Sequence, residues 1–89
     1  MFTSSRTKRK EFAVIGLGRF GRAVVHTLNE KGFSVLGIDR DAATVQYISE
    51  SCTQAVVVDS TSEESLRALD IASFDTVIVA IGSDFESNL

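Results

Sequence analysis

Phe12-Ala13-Val14-Ile15-Gly16-Leu17-Gly18-Arg19-Phe20-Gly21 is the stretch on which the fold of this chain turns. Four apolar residues lead into a glycine-punctuated turn, and a helix-like segment, Arg22 to Lys31, follows. Strand, Gly-x-Gly-x-x-Gly and helix in that order form the phosphate-binding fingerprint of a βαβ unit. Gly16 lets the chain leave the strand in a tight turn. Gly18, without a Cβ, leaves the backbone open to a phosphate, and Gly21 lets the helix pack closely on the strand. N–H groups at the helix start then face the anion, and the helix dipole adds about 0.3–1 kcal/mol per favourable charge. Downstream, Asp39 closes the next apolar run, Phe33-Ser34-Val35-Leu36-Gly37-Ile38. That is close to the spacing of about 20 residues at which such units place a ribose-binding acid.

With 89 residues there is room for one domain. Arg6, Lys8, Arg9 and Lys10 make the first ten residues a basic tail, expected to be flexible. Beyond residue 10, five basic residues face twelve acidic ones, a net −7. An acidic body argues against nucleic acid as a partner. Cys52 is the sole cysteine, so no internal disulfide forms, in keeping with a reducing cytosol. No apolar run approaches the roughly 18 residues of a membrane span.

Apolar runs fall at residues 12–15, 33–38, 55–58 and 76–81, separated by segments of helical length. Runs that are apolar throughout suit strands covered on both faces. Their alternation with helices predicts an α/β fold, a Rossmann-type doubly wound parallel sheet with strand order 3-2-1-4 and right-handed crossovers. The first helix is expected to bury Phe20, Val24 and Leu28, with Gly32 as its C-terminal cap. The second follows Asp39-Arg40-Asp41 and buries Val45, Ile48 and Cys52. The third starts near Thr61, with Glu64 at capping-box spacing and Leu66 and Leu69 facing inward. Gly82-Ser83-Asp84 turns the chain into the first turn of a further helix, Phe85 to Leu89. The sheet is expected to be truncated after its fourth strand, as in a fragment or a chain completed by a partner. The domain organisation is thus a tail, 1–10, and one nucleotide-binding domain, 11–89.

Phe12 to Gly21, Asp39, Asp59-Ser60-Thr61 and Val77-Ile78-Val79-Ala80-Ile81-Gly82 together resemble the nucleotide-binding N-terminal domain of Ktr- and Trk-type potassium-uptake regulators. The resemblance implies a cytoplasmic domain that binds adenine nucleotides, ATP/ADP or NAD(H), without performing chemistry on them. It implies assembly as a homodimer or larger ring on the inner face of the cell membrane, against a potassium transporter subunit. It also implies that Arg19 reaches a terminal phosphate, that of a neighbouring subunit included, and that Asp59 lies near the adenine. Two other assignments of the fingerprint are the cofactor half of an NAD-dependent dehydrogenase and a nucleotide-sensing module serving some other transporter.

From the residues themselves, Gly16, Leu17, Gly18, Arg19, Phe20 and Gly21 form the phosphate loop, and Asp39 accepts from ribose hydroxyls. At about 4 Å and an effective dielectric near 20, the Asp39 carboxylate would repel a 2′-phosphate by about 4 kcal/mol, which disfavours NADP. Arg40 either softens that repulsion or is a surface charge. Asp59, Ser60 and Thr61 follow the third strand, and Ala80, Ile81 and Gly82 end the fourth, all at the edge where ligands bind in such sheets. Ser60 or Thr61 also suits helix capping. Glu86 reads as an exposed helix acid, Cys52 as a small hydrophobe. His26 has no Cys or His neighbour in sequence, so neither a metal site nor a catalytic set is expected.

Overall fold

β-Branched runs with no polar alternation become the strands of one parallel sheet. The computed structural model describes residues 10–59 and 61–80. Its elements run β1 (Glu11–Ile15), α1 (Arg19–Glu30), β2 (Ser34–Asp39), α2 (Ala42–Ile48), β3 (Gln54–Val57), α3 (Glu63–Ala68) and β4 (Thr76–Val79). The strand order is β3-β2-β1-β4, as the sequence predicts. Ser60, Ile81, Gly82, the turn and helix expected after them, and the tail before Lys10 lie outside the described residues.

Register sorts the side chains onto two faces. Val14 stands opposite Gly37 on β2 and Ile78 on β4, and Gly37 stands opposite Ala55 on β3. This face packs under α1 and α2, with Leu17, Val25, Leu28, Val45 and Ile48 buried on it. Ala13, Ile15, Leu36 and Ile38 point the other way, onto Leu66, Leu69, Ile71 and Phe74 in and just after α3. Burial on both faces therefore holds for β1 and β2. It does not hold for the outer strands, where Val57, Val77 and Val79 are exposed among the described residues.

Gly37 is part of why Leu17 is buried. A Cβ at Gly37 would stand 2.9 Å from Cys52 Sγ and 3.3 Å from a Leu17 methyl carbon. The missing side chain leaves the room that Leu17 and Cys52 fill.

α1 starts at Arg19 rather than Arg22 and its buried stripe is Gly21, Val25 and Leu28. Phe20 is 53% exposed and Val24 only partly buried, which corrects the expected stripe by one residue. The phase is set at Gly21, which must face the loop, so the positions four and seven residues on turn inward. Gly32 does end α1. It takes a φ of 83°, and the N–H groups of Gly32 and Phe33 donate to Asn29 O at 3.0 Å and Leu28 O at 3.1 Å. These two bonds make a Schellman motif, in which glycine avoids the steric cost of a left-handed residue.

α3 also differs from expectation. Its N-cap is Ser62, whose Oγ accepts from Ser65 N at 3.2 Å. Thr61 is instead engaged by Asp59, so the cap moves on by one residue.

An alanine at Gly21 would set its Cβ 1.9 Å from Gly16 O, a main-chain atom that cannot move alone. Gly21→Ala is expected to destabilise the fold by about 3 kcal/mol, measured as a fall in the urea midpoint at unchanged m-value.

Candidate functional site

The C-terminal ends of the four parallel strands bring the loop and the downstream acids to one edge. There the loop is pinned to the neighbouring strand. Gly16 takes a φ of 96° and its N–H donates to Ile38 O at 2.8 Å. The next N–H, of Leu17, donates to Asp39 Oδ2 at 2.8 Å. Gly16 and Leu17 thus spend their main-chain donors on β2 and its terminal acid. The Leu17 side chain is in the core. Both residues shape the loop, and neither has an N–H left for an anion.

Donors remain one step further on. Gly18 is the N-cap of α1, and its lack of a side chain leaves the first turn without a side-chain cap. Among the described residues, nothing accepts from the N–H groups of Gly18, Arg19, Phe20 or Gly21. No acid sits in this turn either. Helix starts ordinarily satisfy these groups with a capping oxygen, water or a ligand. Arg19 is exposed here, next to the open donors.

Asp39 is half-buried, and both of its oxygens are used. Oδ1 accepts from Asp41 N at 2.9 Å while Oδ2 holds Leu17. A carboxylate has about four acceptor positions, so roughly two remain for a hydroxyl-bearing ligand. Asp41 caps α2, accepting from Ala43 N at 3.3 Å and from Thr44 Oγ1 at 2.7 Å. Arg40, between these two acids, is exposed.

Beyond β3, Asp59 Oδ1 accepts from Thr61 Oγ1 at 2.7 Å and from Thr61 N at 2.9 Å. The Thr61 hydroxyl, then the Thr61 N–H and, to a smaller extent, the Arg40 charge hold the Asp59 carboxyl below its ordinary range. Ala80 reaches the same edge, yet it is buried. Its N–H donates to Ile15 O at 2.7 Å, and its methyl lies 3.4 Å from the empty Cβ position of Gly21. It supports the loop from below.

Arg22 was not foreseen. Its main-chain N–H donates to Gly18 O at 2.9 Å and its Nε to the same oxygen at 3.4 Å. Its guanidinium also lies 5.4 Å from the ring centroid of Tyr47 on α2. An arginine just after the last glycine is visible in sequence, but its partner depends on how α2 docks. Away from this edge, burial pushes the Cys52 thiol above its ordinary value, against a smaller lowering by the Gly37 main chain, which suits packing rather than nucleophilic work. His26 is exposed. Among the described residues no group of three or more His, Cys, Asp or Glu is placed to hold a metal ion, and no helix is long and apolar enough to cross a membrane.

Comparison with known proteins places these features in a family. The TrkA-N domain model matches residues 12–89. The chain is 43% identical over 81 residues to the Ktr system potassium uptake protein C of Bacillus subtilis, covering 91% of this chain and 37% of that protein. It is 39% identical over 84 residues to the Ktr system potassium uptake protein A of Vibrio alginolyticus, covering 94% of this chain and 38% of that protein. The chain thus spans little more than a third of the length of these relatives. Among solved structures, a putative NAD-dependent epimerase/dehydratase from Bacillus halodurans superposes with a TM-score of 0.67 at 25% identity, over 83% of this chain and 34% of that one. That likeness bears out the Rossmann-type sheet.

Because Asp59 is held below its ordinary pKa, its contribution to stability is present above the unfolded value and is lost as pH falls through the folded one. Thr61→Val removes the hydroxyl, which is the largest cause, and keeps the N–H. The Asp59 carboxyl, followed by carbon-13 NMR titration, is expected to move up toward the ordinary carboxylate value in that variant without reaching it.

Proposed function

This chain belongs to the TrkA-N domain family, and from that premise we propose that it is the nucleotide-sensing part of a potassium-uptake regulator. Its ligand is an adenine nucleotide, ATP/ADP or NAD(H), held without being turned over. The observation that carries this is the open set of four main-chain donors from Gly18 to Gly21, set beside Asp39 at one sheet edge. A polyphosphate satisfies the donors and complements the helix dipole. The remaining acceptor positions of Asp39 suit ribose hydroxyls, and its charge disfavours the 2′-phosphate of NADP. Arg19, exposed beside the donors, meets the terminal phosphate, including one bound by a neighbouring subunit. Asp59 lies toward the adenine in this account, with Thr61 beside it, and Ser60, Ile81 and Gly82 belong to the same ligand-binding edge on the sequence reading. In this account the domain works as a homodimer or larger ring at the cytoplasmic face of the membrane. Nucleotide identity alters subunit geometry there and so the open population of a potassium transporter. The names of its Ktr system relatives support that partner.

A second assignment, the cofactor half of an NAD-dependent enzyme, is favoured by the likeness to the epimerase/dehydratase. Nucleotide choice separates the two. A thermal-shift panel of ATP, ADP, AMP, NAD, NADH and NADPH is expected to show midpoint rises with ATP, ADP and NADH and the smallest with NADPH. At a hundredfold excess over Kd, the stabilisation is about 2.7 kcal/mol. A response confined to the dinucleotides would favour the enzyme half, and no response at all would overturn nucleotide binding.

Arg19→Ala is expected to weaken ATP by about tenfold or more, the worth of a charge-assisted contact, and ADP or NADH by less. Equal losses for all three in calorimetry would remove Arg19 from the terminal phosphate.

A further inference from the structure

We propose that Asp39 is a positioning residue for the phosphate loop, shaping it before any ligand arrives, and is not solely a ribose acceptor. The inference rests on the nucleotide reading above and assigns its acid a second task.

The geometry is that of a brace. Asp39 ends β2 and Leu17 lies inside the loop, 22 residues away in sequence, yet Asp39 Oδ2 accepts the Leu17 N–H at 2.8 Å. A second bond runs parallel to it, from Gly16 N to Ile38 O at 2.8 Å. Two consecutive loop amides are therefore tied to two consecutive residues of β2. The carboxylate is itself held, because Oδ1 accepts from Asp41 N at 2.9 Å. Asp41 in turn caps α2 through Ala43 N and Thr44 Oγ1. The loop is thus referenced, through one carboxylate, to the start of α2.

Chemistry favours a carboxylate in this place. Its two oxygens serve two N–H groups at once and keep further acceptor positions. An amide offers one accepting oxygen, and its NH₂ would face the other N–H. With both residues at their hydrogen-bonded distances, Leu17 N–H is turned away from the anion position. The four amides that follow are left as the donor set. Without the brace, the Leu17 N–H has no acceptor in the loop, and the turn that aims the later amides is held by the Gly16 bond alone.

The two roles of Asp39 differ in sign. A carboxylate that only receives ribose hydroxyls repels the nearby phosphates. Removing it would leave unchanged, or tighten, a nucleotide that lacks those hydroxyls. A carboxylate that shapes the loop does the reverse, since its loss weakens every ligand that uses the loop amides.

The test compares wild type with Asp39→Asn and Asp39→Ala, each checked for fold by circular dichroism. Binding of ATP and of 2′,3′-dideoxy-ATP is measured by calorimetry, and Leu17 amide exchange is followed by NMR in ligand-free protein. Asp39→Ala is expected to weaken both nucleotides, by about tenfold or more for a charge-assisted bond, and to speed Leu17 exchange by a similar factor. Asp39→Asn, serving one N–H at a time, is expected to fall between. Loss of ATP with unchanged or tighter dideoxy-ATP binding would overturn the inference and leave ribose recognition. Unchanged Leu17 exchange in a folded Asp39→Ala protein would overturn it as well. If wild type binds neither nucleotide, the functional reading fails, and the exchange measurement still decides whether Asp39 fixes the loop.

Discussion

A single missing Cβ lets this structure close. Gly21 brings the first turn of α1 against the carbonyl of Gly16, nearer than any side-chain-bearing residue could come. Because the helix must present Gly21 there, its phase is fixed, and Val25 and Leu28 fall onto the sheet. The same approach sets Ala80 beneath the loop. It also leaves the loop as a short arch, with Leu17 turned down into the core. Close packing of backbone on backbone is intolerant of added volume, so one position governs helix register, loop shape and core composition together.

The loop then divides its amides between two tasks. Gly16 and Leu17 face β2 and are consumed in holding the arch. The N–H groups of Gly18 to Gly21 have no acceptor among the described residues, and no capping side chain uses them. Asp39 accepts the Leu17 N–H, the amide of the inner pair next in sequence to the outer set, while Ile38 O takes that of Gly16. Arg22 adds a tie from the Gly18 carbonyl to the Tyr47 ring on α2. A change at the loop is therefore felt at α2 through both Asp39 and Arg22.

Much of this was legible in the sequence, because glycine spacing and unbroken apolar runs report backbone constraints directly. The strand order, the Gly32 cap and the placing of Asp39 at the edge all follow from such local signals. What escaped depended on docking. Phe20 reads as part of an apolar stripe until Gly21 fixes the phase of α1. Thr61 reads as a cap, but Asp59 two residues earlier competes for it and Ser62 takes the role. Gly37 is simply one member of an apolar run in the sequence, whereas in the fold its missing side chain houses Leu17 and Cys52. Arg22 gains its meaning only from a ring on another helix. Pairwise contacts across elements have no period in the chain, so no pattern of spacing announces them.

The first turn of α1 has two guanidinium groups, Arg19 and Arg22, and no acid, at the end where the helix dipole is already positive. Like charge is thus concentrated at this helix end, and on the proposed nucleotide reading a bound anion would relieve that self-repulsion as well as making its own bonds. Ionic strength then acts twice. Screening eases the repulsion between the two guanidinium groups, and on the same reading it would also weaken the attraction for an anion. On that reading low salt would favour anion binding on both counts, and this helix end would itself feel the ionic composition of the surroundings.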